Sequence, residues 1–188
     1  YALPFSALLI LGGAWGDKWG AKSVFAAGFA VFTLASVGCG LADSMTQLIT
    51  LRVVQGIGAA LLIPTSLTLI RVSFHDPSAR RSAVALWGAC GGIALAAGPV
   101  IGGLMIEYFG WRSVFLLNIP IGLLAIGLIL RYAPASPRVD KQVDIPGQIS
   151  IASCLASLTY GLTESSAKGW VGETLAAMAI AVICALAF

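Results

Sequence analysis

Hydrophobic residues fall in seven long runs separated by short polar connections. The runs cover residues 1–14, 22–41, 47–70, 82–108, 113–130, 145–162 and 174–188. The five inner runs are long enough for the ~20 residues that a membrane-spanning helix needs. Because the apolar residues form continuous blocks and do not alternate with polar ones, the pattern predicts helices and not a β-barrel. We therefore expect an all-α, polytopic transmembrane helical bundle.

Composition supports this interpretation. Of the 188 residues, 59% are hydrophobic and 10% are charged, whereas soluble domains average about 45–50% and 25%. These values argue against a disordered chain, a nucleic-acid-binding domain and a disulfide-stapled secreted module. The lipid bilayer is thus an expected partner, and nucleic acid is not.

The two terminal runs, 1–14 and 174–188, are shorter than a full span. No charged segment precedes the first run, so a signal peptide is not predicted. We expect the chain to be an internal portion of a longer, transporter-like protein, with the rest of the parent chain as a partner. We also expect that this portion alone does not transport.

Basic residues are concentrated in alternate connections. Eight of the 11 lie on one predicted side: Lys18, Lys22, Arg71, Arg80, Arg81, Arg131, Arg138 and Lys141. The opposite connections contain Arg112 and Lys168. By the positive-inside rule, loops 14–22, 71–81 and 131–144 are cytoplasmic in a multi-pass protein of the cell (plasma or inner) membrane.

The first connection reads GGAWGDKWGAK, from Gly12 to Lys22. A short link between antiparallel helices needs a tight turn, which Gly16 and Gly20 would permit. Asp17 and Lys18 would lie at helix ends, where charges interact with helix dipoles. Taken alone, the segment is typical of a charged hairpin turn.

Arg52 stands inside an otherwise apolar run. A charge within a membrane helix costs several kcal/mol unless it faces a partner or water, so Arg52 is a functional candidate. The alternative is that it extends to the nearby outer end of the helix. Gln55 lies one turn along the same face and also needs a hydrogen-bond partner.

The run after it contains WGACGGIALAAGPVIGG, residues 87–103. Gly88 and Gly92 are four apart, as are Gly98 and Gly102, so each pair shares a helix face suited to close packing. Pro99 removes one internal hydrogen bond and is expected to bend the helix. The pattern indicates a deformable, closely packed helix.

Together these strings resemble the major facilitator superfamily. The family's loop between its second and third helices is matched by Gly13, Asp17, Lys18, Gly20 and Lys22. Its fourth-helix motif is matched by Arg52, Gln55 and Gly56. Its fifth-helix antiporter pattern is matched by Gly98, Pro99, Gly102 and Gly103. The loop departs from the pattern at Trp15, where Leu is usual, and at Ala21, where a basic residue is usual.

Downstream, WRSVFLLNIPIG (residues 111–122) and DIPG (residues 144–147) resemble the fourteen-helix drug:proton antiporter branch. The chain would then run from the second to the eighth helix of that branch. Residues 1–132 would belong to the N-terminal bundle, 133–144 to a cytoplasmic linker, and 145–188 to the extra helix pair that joins the two halves.

The resemblance implies proton-coupled efflux of drugs or other lipophilic small molecules by alternating access. Asp17 and its loop would help hold the two halves together at the cytoplasmic face. Arg52, with Gln55, would tune a titrating carboxylate and so couple protons to export. Pro99 and its glycines would supply packing and bending. Protons and a small-molecule substrate are the implied partners, and no cofactor or metal is expected.

Several other functions stay open or are disfavoured. The same scaffold serves exporters or importers of one dedicated metabolite, and a non-transport polytopic protein is a further alternative. An intramembrane enzyme is disfavoured, since the single histidine, His75, falls in a connection. An ATP-driven pump is disfavoured because the chain has no phosphate-binding GxxxxGK[ST] loop.

Overall fold

The computed structural model describes residues 2–136, 145–168 and 172–187, and its regular secondary structure there is helical. Eight helices are found in these ranges: α1 (Ala2–Trp19), α2 (Ala21–Leu41), α3 (Met45–Ser73), α4 (Pro77–Phe109), α5 (Ser113–Leu116), α6 (Asn118–Tyr132), α7 (Ile145–Lys168) and α8 (Gly172–Ala187). The all-α prediction is confirmed.

Four segments of this part of the chain are long and apolar enough to cross a membrane: α2, α3, α4 and Ser113–Tyr132. The last comprises α5 and α6, which are separated at Leu117. The fifth predicted span, α7, has 24 residues but is more polar than the other four. Four of its hydroxyl groups donate hydrogen bonds to helix carbonyls, as Thr159 does to Leu155, so these four are satisfied without water.

The connection between α1 and α2 is shorter than the sequence indicates. Helix α1 continues through Asp17 and Lys18 to Trp19, and the chain reverses at Gly20, whose φ of 90° favours glycine. Gly16 lies inside α1, so its predicted role as a turn residue is wrong. A Cβ at Gly16 would come within 2.9 Å of Thr65 Cγ2, so this glycine allows α1 to approach α3.

The N-terminal ends of α3 and α4 are capped by side chains in the usual way. The Ser44 hydroxyl accepts a hydrogen bond from the Gln47 amide at the start of α3. The Asp76 carboxylate accepts one from the Ala79 amide at the start of α4, with Pro77 at the first helical position. Because α3 ends at Ser73 and α4 begins at Pro77, the connection predicted at residues 71–81 is only residues 74–76.

Helix α3 lies at the centre of the packed part of the molecule. It contacts α1 and α2, α6 contacts α2, and α7 contacts α1 and α8. Small residues bring these helices together. A Cβ on Gly58 of α3 would lie 2.7 Å from the Phe32 amide nitrogen of α2, and one on Gly12 of α1 would lie 2.6 Å from the Ala60 carbonyl oxygen.

Helix α4 is arranged differently. None of its 33 residues is buried against the described ranges of the chain, where it contacts α3 and α5. Gly88, Gly92, Gly98 and Gly102 have no atom within 4 Å of an added Cβ among those residues. Close packing along these glycines therefore stays a prediction.

The proposed division at 133–144 also stays a prediction. Residues 137–144 lie outside the described residues. Before them, the Ser136 hydroxyl accepts a hydrogen bond from the Lys22 amide at 3.1 Å. The end of the first bundle is thus tied to the start of α2.

Candidate functional site

Three connections of the predicted cytoplasmic side meet at one end of the bundle. They enclose a pocket of about 300 Å³ whose lining residues are Gly16, Asp17, Thr68, Arg71, Val72, Arg80 and Ser136. The alternation of basic connections, read from the sequence, therefore agrees with the packing. Asp17 and Lys18 are exposed there, and Lys18 lies over the Trp19 ring, with its Nζ 5.9 Å from the ring centroid.

Lys22 connects this end of the bundle to α6. Its ammonium group donates hydrogen bonds to the carbonyl oxygens of Leu130 at 2.9 Å and Ala133 at 2.8 Å. The carbonyls at a helix C-terminus lack partners inside the helix and attract positive charge. Lys22, which matches the family's motif in the loop between its second and third helices, thus also caps the C-terminal end of α6.

Arg52 and Gln55 are brought together as their spacing predicts. Arg52 is half-buried, and its Nη1 donates a hydrogen bond to Gln55 Oε1 at 2.9 Å. It lies seven residues beyond Met45, the first residue of α3, or about 10 Å along the helix. Its guanidinium also lies over the Phe115 ring of α5, 5.4 Å from the centroid. Arg52 therefore bonds to Gln55 further along α3 and also contacts α5, and its functional role stays a prediction.

Gln55 is 1% exposed and bonds onward to α2. Its Nε2 donates to the Ser36 hydroxyl at 2.6 Å, and that hydroxyl donates to the Phe32 carbonyl at 2.8 Å. A guanidinium can only donate, so it requires the carbonyl end of the Gln55 amide to face it. The NH₂ end is then directed at Ser36, which must accept.

Asn118, at the start of α6, completes the cluster. Its Nδ2 donates to the same Ser36 hydroxyl at 3.3 Å. Asn118 also lines a groove of about 390 Å³ between α4 and the α5–α6 segment, together with Gly98 and Gly102 of the antiporter pattern. We call Arg52, Gln55, Ser36 and Asn118 the polar cluster; it joins α2, α3 and α6.

Sequence reasoning missed two members of this cluster. Ser36 and Asn118 are polar residues inside apolar runs, and such residues are common in membrane helices at helix contacts. Their partners depend on how α2, α3 and α6 pack, which the linear pattern does not specify. The signal available was that Gln55 needed an acceptor, and a serine hydroxyl in another run is one of few candidates.

Comparison with known proteins shows the family of the chain. The model of the Major Facilitator Superfamily matches residues 1–188. The chain belongs to this superfamily. As a member with four apolar segments long enough to span, it is a multi-pass membrane protein.

Curated relatives include proteins named for antibiotic resistance and export. The chain is 40% identical to the methylenomycin A resistance protein of Streptomyces coelicolor over 98% of its length and 39% of the relative's. It is 35% identical to the tetracenomycin C resistance and export protein of Streptomyces glaucescens over its full length and 35% of the relative's. A riboflavin transporter of Clostridioides difficile is 36% identical over 87% of this chain and 36% of that protein. The chain thus spans well under half the length of these relatives.

Proposed function

We propose that the full-length protein exports lipophilic small molecules in exchange for protons by alternating access. The observation that carries the proposal is Arg52, a cation within an apolar spanning helix that bonds to a buried amide. A charge at the centre of a spanning helix costs about 2.5–3.5 kcal/mol; Arg52 lies about 10 Å from the outer end of α3, where the cost is smaller but still favours a functional role over a purely structural one. Relatives named for antibiotic resistance and export support the direction of transport.

In this proposal Arg52 acts on a carboxylate elsewhere in the parent chain. Nearby positive charge favours the ionised carboxylate, and proton binding there would release this attraction. Substrate and proton would then compete for one central region, as antiport requires. Asp17, exposed at the predicted cytoplasmic end, would help hold the closed state. Gly98 and Pro99 would form a packing surface for the partner half.

The test is proton-driven efflux by the full-length protein in lipid vesicles, with the fluorescent lipophilic cation ethidium as the substrate. We expect wild type to expel the dye when a proton gradient is imposed, and Arg52→Ala to lose most of this activity. Arg131→Ala is the matched control, since Arg131 is an exposed cation that stacks on Tyr132. Full gradient-driven efflux by Arg52→Ala would contradict the proposed role.

A dedicated metabolite is the second candidate substrate, and the riboflavin transporter among the relatives favours it. The same vesicles distinguish the two by competition. A drug exporter would be inhibited by several unrelated lipophilic cations. A dedicated transporter would move one compound, such as riboflavin, and ignore ethidium.

A further inference from the structure

We propose that Ser36 is a positioning residue: its hydroxyl holds the Gln55 amide, and through it Arg52, in the orientation used for proton coupling. The proposal rests on the proposed function above and adds a residue to it. Ser36 lies on α2, a helix that bears neither Arg52 nor Gln55. Its role would therefore act between helices.

The hydrogen-bonding capacity of Ser36 is fully used. A serine hydroxyl has one proton to donate and two lone pairs that accept. It donates to the Phe32 carbonyl and accepts from the amides of Gln55 and Asn118. The side chain is 0% exposed, so no water replaces a lost bond. Removing this hydroxyl leaves the NH₂ groups of two amides without their acceptor.

The direction of the chain of bonds explains how Ser36 acts on Arg52. If the acceptor at Ser36 is lost, the Gln55 amide can turn to seek another partner. Its Oε1 then leaves Arg52 Nη1, which it contacts at 2.9 Å. Arg52 stands about 10 Å from the outer end of α3 and has a stem long enough to move its charge toward that interface.

Besides Gln55, groups on two other helices lie near Arg52 among the residues that the structure describes. The Cys39 thiol of α2 is close enough to Arg52 to interact with its charge, and the Arg52 guanidinium lies over the Phe115 ring of α5. Nearer the outer end, Arg112 pairs with Asp43 at 3.5 Å. The Phe115 contact is a cation–π interaction, which fixes the guanidinium less specifically than a short hydrogen bond does.

A matched control stands one turn away on the same helix. Thr33 is 6% exposed and faces α6, and its Oγ1 is buried without a hydrogen-bond partner in the described ranges. Thr33→Val removes this hydroxyl with almost no change of shape and no loss of a bond. Ser36→Ala removes a hydroxyl that makes three bonds, at similar depth.

The experiment measures ethidium efflux from vesicles as a function of pH for the full-length protein. If Arg52 moves away, the carboxylate it tunes loses a stabilising charge and its pKa rises. In Ser36→Ala the midpoint should shift to higher pH by about half a unit, a threefold change in proton affinity. Ser36→Thr, which keeps the hydroxyl, should restore the wild-type midpoint, and Thr33→Val should not move it.

A second comparison tests whether Ser36 acts through Gln55. Gln55→Leu should shift the midpoint in the same direction, and adding Ser36→Ala to it should cause no further shift. An unchanged midpoint in Ser36→Ala overturns the proposal. So does a shift that simply adds to that of Gln55→Leu.

A transport-independent measurement separates this proposal from the proposed function. Phenylglyoxal modifies accessible arginine, and mass spectrometry reports the modified fraction at Arg52. We expect severalfold more modification in Ser36→Ala than in wild type or Thr33→Val; equal modification would overturn the positioning role. Absence of proton-driven efflux by wild type would refute the proposed function, while the labelling result would still decide whether Ser36 positions Arg52.

Discussion

The crossing of α2 and α3 at Gly28 and Gly58 makes a prediction that depends on backbone contact alone. A Cβ added at Gly58 would lie 2.7 Å from the Phe32 amide nitrogen and 2.9 Å from the Gly28 carbonyl oxygen. Both neighbours are backbone atoms, so a side-chain rotation cannot relieve the contact. We expect Gly58→Ala to push the two helices apart.

The size of the effect follows from two opposing terms. Overpacking at a tight helix contact costs about 1–3 kcal/mol. Alanine also favours the helix over glycine by about 0.8–1.0 kcal/mol. Gly127→Ala on α6 should gain the helix propensity without the overpacking cost, because an added Cβ there meets no atom within 4 Å in the described ranges. The propensity term is common to both variants, so their difference isolates the contact at about 1–3 kcal/mol.

The assay is the free energy of unfolding of the full-length protein in mixed detergent micelles, titrated with sodium dodecyl sulfate. Gly58→Ala should unfold at lower detergent fraction than wild type, and Gly127→Ala at an equal or higher one. If the two variants unfold together, the helices are not in backbone contact at Gly58 and the packing argument fails.

Three further predictions concern other contacts. Gly122→Ala would overlap the Thr33 hydroxyl; overpacking of about 1–3 kcal/mol against a helix-propensity gain of about 0.8–1.0 kcal/mol should lower stability by up to about 2 kcal/mol. Adding Thr33→Ala should restore part of the loss, and no rescue would contradict the contact. Asp43→Asn should change the free energy of unfolding by less than about 0.5 kcal/mol, because Asp43 is 91% exposed where it pairs with Arg112. Asp76 accepts a side-chain hydrogen bond and a backbone one, which lower its pKa below the usual 3.8. A carbon-13 NMR titration should therefore give a midpoint below that value, and the stabilisation at the start of α4, present above the unfolded-state pKa, should be lost as the pH falls through the folded one.

Much of the fold could be predicted from the sequence because a bilayer imposes a simple rule. Each long apolar run must satisfy its backbone hydrogen bonds internally, so each becomes a helix. The distribution of basic residues then indicated which connections share a side, as the pocket beside Asp17, Arg71 and Arg80 bears out. Helix ends were less predictable: α1 continues through Asp17 because a single glycine, Gly20, is enough to reverse the chain.

The candidate site was only partly predictable for a different reason. Arg52 and Gln55 lie on one helix, so their spacing determines that they meet. Ser36 and Asn118 reach them from α2 and α6, and these contacts depend on tertiary packing. A polar residue in an apolar run indicates that a partner exists without identifying it.

The glycine crossing and the polar cluster are parts of one arrangement. Phe32, whose amide nitrogen limits the approach at Gly58, lies one turn from Ser36; Gly58 lies three residues from Gln55. The close approach of the two backbones therefore sets the separation across which Gln55 Nε2 reaches Ser36 at 2.6 Å. An added methyl that separates the helices by even a few tenths of an ångström would lengthen this bond. If Ser36 positions Arg52, Gly58→Ala should shift the pH midpoint of efflux in the same direction as Ser36→Ala, although it alters no polar atom. Gly127→Ala should not, and a shift in both would mean that the midpoint responds to general loss of stability and not to this hydrogen bond.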